Sequence, residues 1–332
     1  MKGTNGQVMT VNNLIINGGL VDYANGGDSF VETLGGNITL QGGETSYLGA
    51  LSSGGSETLF VTAPIGGSGN LQLGGTTVNN GQDTGVVVLA GTNTYAGPTT
   101  VATGTLLVNG QNGGSAITIS TNGTLGGSGS IAGPVNVQLG GRLAPGTPSR
   151  GAMVAATGAL TINNTVTLSG SAVMKMNRTG TPNCDELVAS GVAVNPGATL
   201  TVSNIGSTNL VPGDTFTLFS APVSGFASVS LPPLPGTNVY WTNNLAVNGS
   251  IAVAAVVTVN PNSTNIIATV SGGTLTLSWP QDHTGWTLQV QTNSLGSGLG
   301  TNWVDVAGSA ATNAVSITIS PANGSVFYRL KL

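Results

Sequence analysis

Few residues in this sequence can do chemistry. Its 332 positions carry 11 Asp and Glu, 7 Lys and Arg, one histidine and one cysteine. The densest acidic group is Asp22, Asp28 and Glu32. Calcium asks for about six to eight oxygens, so these three offer weak cation binding at most, and a solvated surface is the plainer reading. Asp185 and Glu186 form the only adjacent acidic pair. In a strand, neighbouring side chains point to opposite faces, so the two cannot share one bond as acid and base, and Asp185 reads as a turn or corner residue beside Cys184. His283 follows Asp282, yet a nucleophilic triad is set by geometry rather than adjacency, and a turn is the plainer role. A single histidine excludes a multi-histidine metal site. Cys184, being alone, excludes an intramolecular disulfide and CxxC motifs, and reads as a small buried apolar residue.

Other motifs are weaker still. Gly66-Gly67-Ser68-Gly69 and Gly126-Gly127-Ser128-Gly129 lack the lysine and the strand-to-helix context of a phosphate cradle, so they read as turns. Asn122-Gly123-Thr124, Asn177-Arg178-Thr179 and Asn248-Gly249-Ser250 match the glycosylation pattern, as chance dictates in a chain rich in Asn, Thr and Ser. No residue is therefore assigned a catalytic, cofactor-binding or metal-binding role. No cofactor is expected, and the chain does not read as an enzyme.

The elements carrying these residues follow from composition. Glycine numbers 53 and charged residues make up only 5%, against roughly a quarter in ordinary domains. Apolar residues reach 39% and the mean hydropathy is +0.25, enough for a core and too much for charge-driven disorder. A net charge of −4 with seven cations does not suit nucleic acid or an anionic membrane surface. No apolar run reaches the roughly 18 residues of a membrane helix, so membrane insertion by this chain is not expected. The first residues lack the apolar stretch of a secretory signal, which points to a mature or truncated segment or to export by another route.

Short runs of Val, Ile, Leu and Thr recur between Gly, Asn, Ser and Pro clusters, as at Leu14–Ile16, Ile38–Leu40, Leu71–Leu73, Val86–Leu89, Ile117–Ile119 and Thr199–Val202. They predict strands of three to six residues and no helix. A phrase resembling Gly, a small or polar residue, Thr, Leu and an apolar residue returns at 35–40, 68–73, 103–108, 122–127, 157–162 and 196–202. Its irregular spacing suits stacked β-coils with loops of varied length. Glycine would turn the corners, aliphatic residues would fill the interior, and Thr, Ser and Asn would solvate the outside. A series of β-sandwiches is the competing arrangement, because short strands alone do not fix parallel pairing.

The stretch 89–110, LAGTNTYAGPTTVATGTLLVNG, resembles the passenger-associated repeat of bacterial autotransporters through Asn93, Thr94, Tyr95, Gly97, Thr99, Thr100, Val101, Gly104, Thr105, Leu106 and Val108. GGRLAPGTPSRG at 140–151 and NCDELVASGVAVNPGATLTV at 183–202 look like further coils of that family. Residues 212–253 resemble the closing segment of verrucomicrobial and planctomycete secreted repeat proteins. The resemblance implies a right-handed parallel β-helix exported to the cell surface as an adhesin, matrix component or display stalk. No twelve-stranded membrane barrel follows the coils, so self-translocation by this chain is not implied. Tyr240 and Trp241 form the one exposed-looking aromatic pair of the coils. A sugar could stack there, but the tryptophan precedes an apolar strand and reads as a plug for the coil end.

From Asn260 the texture changes. Pro261-Asn262-Ser263 reads as a linker, after which alternation in Thr274–Trp279, Trp286–Gln291, Val315–Ile319 and Val326–Leu330 predicts a small antiparallel β-sandwich, with Trp279 and Trp286 supplying its core. It resembles the fibronectin-like modules that close such secreted proteins. The expected organisation is an all-β chain, with a right-handed parallel β-helix over 1–258 and a C-terminal antiparallel β-sandwich over 262–332.

Three functions compete. The first is a non-catalytic extracellular or cell-surface stalk that binds a surface or matrix polysaccharide or protein. The second is a self-assembling fibre subunit joined end to end. The third is a polysaccharide-acting enzyme, which would need the clustered carboxylates that pectate lyases and polygalacturonases use and that are scattered here.

Overall fold

The computed structural model describes residues 6–23, 31–51, 57–75, 84–149, 153–256 and 258–332. Asp28, the middle member of the acidic group, lies outside them. The chain divides into two compact units, Met1–Ala255 and Val256–Leu332.

The first unit is a parallel β-solenoid. One sheet stacks ten strands in line, from Val8–Ile16 through Val31–Leu40, Thr58–Val61, Val86–Leu89, Gly104–Val108, Gly123–Gly127, Arg142–Pro145, Ser171–Met176 and Thr199–Asn204 to Ser228–Ser230. A second sheet runs beside it and includes Thr45–Ala50, Asn70–Leu73, Thr99–Val101, Ile117–Ile119, Val135–Val137 and Ala159–Leu168. All these pairings are parallel. The competing sandwich series is thereby set aside for this region.

Register explains the recurring phrase. Gly104, with φ of 76°, turns the chain into its strand. Thr105 then faces outward and Leu106 inward. Leu59, Val87, Leu106, Leu125, Leu143, Ala172 and Leu200 form one continuous interior row, each at most 2% exposed. The opposite sheet answers with Leu73, Val101, Ile119, Val137 and Leu168. In the strand Thr92–Asn93, at the end of the second sheet, Asn93 of the Asn-Thr-Tyr turn ties three coils together. Its Oδ1 accepts the Ile65 N–H at 3.1 Å, and its Nδ2 donates to the Gln111 carbonyl at 3.2 Å. The side chain thus completes backbone bonds where the ladder is interrupted.

The coil does not continue to 258. Thr215–Thr217, Val239–Asn244 and Ser250–Ala255 form a three-stranded antiparallel sheet, and Leu245–Asn248 makes a one-turn helix ended by Gly249 at φ 77°. Phe216, Phe219, Ile251 and Val253 of this cap pack on the solenoid core. Here the expectation of coil throughout is corrected, because apolar alternation is the same in parallel and antiparallel strands.

The second unit contains two three-stranded antiparallel sheets. Ile267–Ser271, Thr274–Ser278 and Ala314–Thr318 form one, and Val304–Asp305, Thr287–Asn293 and Ser325–Lys331 form the other. Gly272 and Gly273, both at positive φ, make the tight hairpin turn of the first. Leu277, Trp279 and Leu288 centre its core, and Trp286 is also buried. The expected linker is instead held within this unit. Asn260 donates its backbone N–H to the Asp282 carbonyl, and its own carbonyl accepts from the Trp286 indole.

Candidate functional site

The sequence singled out Glu32 as solvated surface, and the structure corrects this. Glu32 is buried at 2% exposure, at the head of the interior row, opposite Leu59. Its Oε2 has no hydrogen-bond partner. Asp22 is half-buried in the strand Leu20–Tyr23. No group of three His, Cys, Asp or Glu side chains able to hold a metal occurs among the described residues.

Asp185 sits at a corner beside Cys184, between the bridge of that residue to Met176 and the strand Glu186–Val194, and it carries an ion pair besides. It is wholly buried and its Oδ2 meets the Lys175 ammonium at 2.7 Å. The same oxygen accepts the Lys175 N–H, and Oδ1 accepts the Gly158 N–H at 3.0 Å. Burial pushes this carboxyl up to about 6, outweighing the pull of Lys175. Lys175 also donates to the Pro145 carbonyl at 2.6 Å. The neighbouring Cys184 is buried, as expected, and its thiol is pushed up to about 12, first by burial and then by Asp185 and Glu186, which makes it a poor nucleophile.

His283 closes a turn over Gln281–His283. Its Nδ1 meets Asp282 Oδ1 and its Nε2 meets the Asn262 carbonyl, both at 2.7 Å. With an acceptor at each nitrogen, the doubly protonated ring is favoured, and the pKa is raised first by the Asn262 carbonyl and then by Asp282. Asp282 in turn is lowered by Asn260 and His283. Of the aromatic pair, Tyr240 is half exposed. Trp241 packs against Phe216 and donates to the Pro232 carbonyl at 2.9 Å, in keeping with a plug. The three Asn triplets are turns: Asn122 sits at φ 69°, while Asn177 and Asn248 accept from Thr179 and Ser250 two residues on.

One recess lies over the first sheet, at residues to which the sequence assigned no role. On the outer face of the first sheet Thr58, Val86, Thr105, Thr124, Arg142, Ser171, Thr199 and Ser228 stand in one row, the first three buried and the rest partly or fully exposed. After Pro145 the chain folds back over this face, with Gly146 and Thr147 bridged to Gly127 and Ala156. Met153 packs over Val86, Val88 and Leu107, covering an apolar patch on the outside of the coil. Beside it opens a groove of about 330 Å³, in which Thr124, Arg142, Ala144, Val173, Lys175 and Ser203 form much of the floor, with Pro148, Ser149 and Ala155 above. A second recess, of about 450 Å³, lies in the C-terminal unit between aliphatic side chains and Tyr328 and has no charged lining.

No family model matches the chain. Over 88 residues, 26% of the chain, it is 38% identical to the adhesin BmaC autotransporter of Brucella suis biovar 1 (strain 1330). The match spans 2% of that protein. The solenoid fold fits an autotransporter passenger. No helix among the described residues is long and apolar enough to cross a membrane.

Proposed function

We propose that this chain is a non-catalytic adhesive solenoid of an extracellular or cell-surface protein, built from autotransporter-type repeats. The observation that carries the reading is the outer face on which the accessible side chains of Thr124, Arg142, Ser171, Thr199 and Ser228 are held in register along a continuous parallel ladder. Such a row presents a long face that hydrogen-bonds without reorganising, because each coil fixes the next about 4.8 Å away. The local likeness to an adhesin supports it. A catalytic reading gains no support from the groups described above: Asp185 is spent on Lys175, and His283 on Asp282 and the Asn262 carbonyl. The partner of such a face is a surface or matrix polysaccharide or protein.

A fibre subunit is the second reading, and the C-terminal end of the solenoid limits it. There the last strand has three residues, Pro232, Pro233 and Pro235 follow it, and the antiparallel cap packs on the core. Short strands and prolines oppose edge pairing, whereas a head-to-tail fibre needs two complementary ends.

The test is attachment of beads carrying the full chain to surfaces coated with polysaccharides or matrix proteins. Saturable attachment, competed by free protein, is expected. Attachment no greater than that of bare beads on every coating would overturn the reading, as would release of new reducing ends from a polysaccharide.

A further inference from the structure

We propose that the groove over the first sheet binds an anionic glycan, with Arg142 as the group that receives its acid. The inference rests on the adhesive reading and names its ligand class.

Charge placement is the first argument. Four of the seven cations in the chain fall between 142 and 178, namely Arg142, Arg150, Lys175 and Arg178. Arg150 lies outside the described residues. Lys175 is committed to Asp185, and Arg178 to Asp214 at 2.9 Å. Arg142 alone of the described three has no ion pair, and it is exposed on the floor of the groove. In a chain this poor in charge, an unpaired guanidinium in a recess has no structural task, and its planar fork matches a carboxylate or sulfate oxygen pair. Lys175 adds to this: two of its three ammonium protons are used on Asp185 and the Pro145 carbonyl, and its side chain also lines the groove.

The second argument is the chemistry of the lining. Thr105 and Thr124 stand on the two coils before Arg142, and Ser203 one coil after Lys175, in strict register along the groove. Side chains stepped by about 4.8 Å along the solenoid axis meet the hydroxyls and the acid of a sugar chain lying along it. Ala144, Val173 and Pro148 supply the apolar surface on which the C–H face of a pyranose rests. Neutral glycans satisfy the hydroxyls and the apolar patch but leave the guanidinium without its partner, so the acid is what selects.

The test is calorimetric titration of the full chain with oligogalacturonate, with its methyl ester, and with dextran sulfate at low ionic strength. Oligogalacturonate, dextran sulfate or both should bind, more weakly as salt is raised. Arg142→Gln should weaken that binding about tenfold or more, the loss of one charge-assisted bidentate contact. Arg142→Lys should fall between the two, keeping charge without the fork. Circular dichroism identical to wild type confirms that the exposed substitution has not disturbed the fold. Equal binding of the methyl ester, undiminished binding by Arg142→Gln, or no binding of either anionic probe would each overturn the proposal. If beads carrying the chain still attach to a coated surface while all three glycans fail, the groove assignment falls and the adhesive reading stands. If a soluble anionic glycan binds but no coating holds the beads, the reverse is true.

Discussion

Replacing Lys175 by Met asks whether the buried ion pair on the outer face of the first sheet holds the corner around it. The substitution keeps most of the aliphatic stem and removes the ammonium from the Asp185 carboxylate and the Pro145 carbonyl, at 2.7 and 2.6 Å. Asp185 would retain only two backbone donors, the N–H groups of residues 158 and 175. Removing one partner of a buried pair costs about 3–5 kcal/mol, because the other charge stays uncompensated. The cost must also depend on pH. In the native protein, burial holds Asp185 near 6, against about 3.9 in an unfolded chain. A raised value means that the folded state keeps the proton longer. Its contribution is therefore fully present below pH 4 and is lost as pH rises through 6, about 3 kcal/mol over two units. Without Lys175 the carboxyl moves higher still, and protonation relieves the uncompensated charge in acid. Urea unfolding followed by circular dichroism should therefore show the full loss at pH 8 and a much smaller one at pH 5, with amide exchange at Gly158 accelerated only at the higher pH. A loss below about 1 kcal/mol at pH 8, or an equal loss at both, would refute the reasoning.

Three further outcomes are expected. Asn93→Ala strips the Ile65 N–H and the Gln111 carbonyl of their partner inside the coil stack, so urea unfolding should show a loss of about 2–4 kcal/mol. Loss of less than about 1 kcal/mol would mean that the stack closes without it. Glu32→Leu continues the interior row in place of a buried acid and should raise stability by about 1–3 kcal/mol, with a lower midpoint counting against its interior placement. His283, the only histidine, should titrate above about 6.5 in proton NMR of the folded chain. Its stabilisation of the C-terminal unit is full below that value and fades as pH rises through the raised one. His283→Gln should remove this pH dependence, and an unshifted titration would contradict the two-acceptor geometry.

How far the sequence discloses this molecule depends on whether a feature is local or rests on register. Gly104-Thr105-Leu106 is local: a corner, an outward hydroxyl and an inward aliphatic side chain follow from alternation alone, and the strands come out where the phrase recurs. Leu160–Ile162 and Thr165–Leu168 are two apolar runs, yet they form one strand, because the register shift between Ile162 and Thr165 absorbs the intervening asparagines as a bulge. Glu32 needs more than alternation. Its burial follows from alignment with Leu59 one coil on, and an acid between apolar neighbours reads equally well as an exposed position. Lys175 and Asp185 are ten residues apart and meet because Met176 bridges back to Cys184, a contact that neither strand pattern encodes. Arg142 shows both regimes at once. That it faces outward is legible from Leu143 beside it. That the outward face is a groove is not, since the cover comes from a segment whose Gly and Pro residues specify a turn without specifying the surface on which it lands. A solenoid thus writes its core into every repeat, while its distinctive chemistry sits where the repeat is broken.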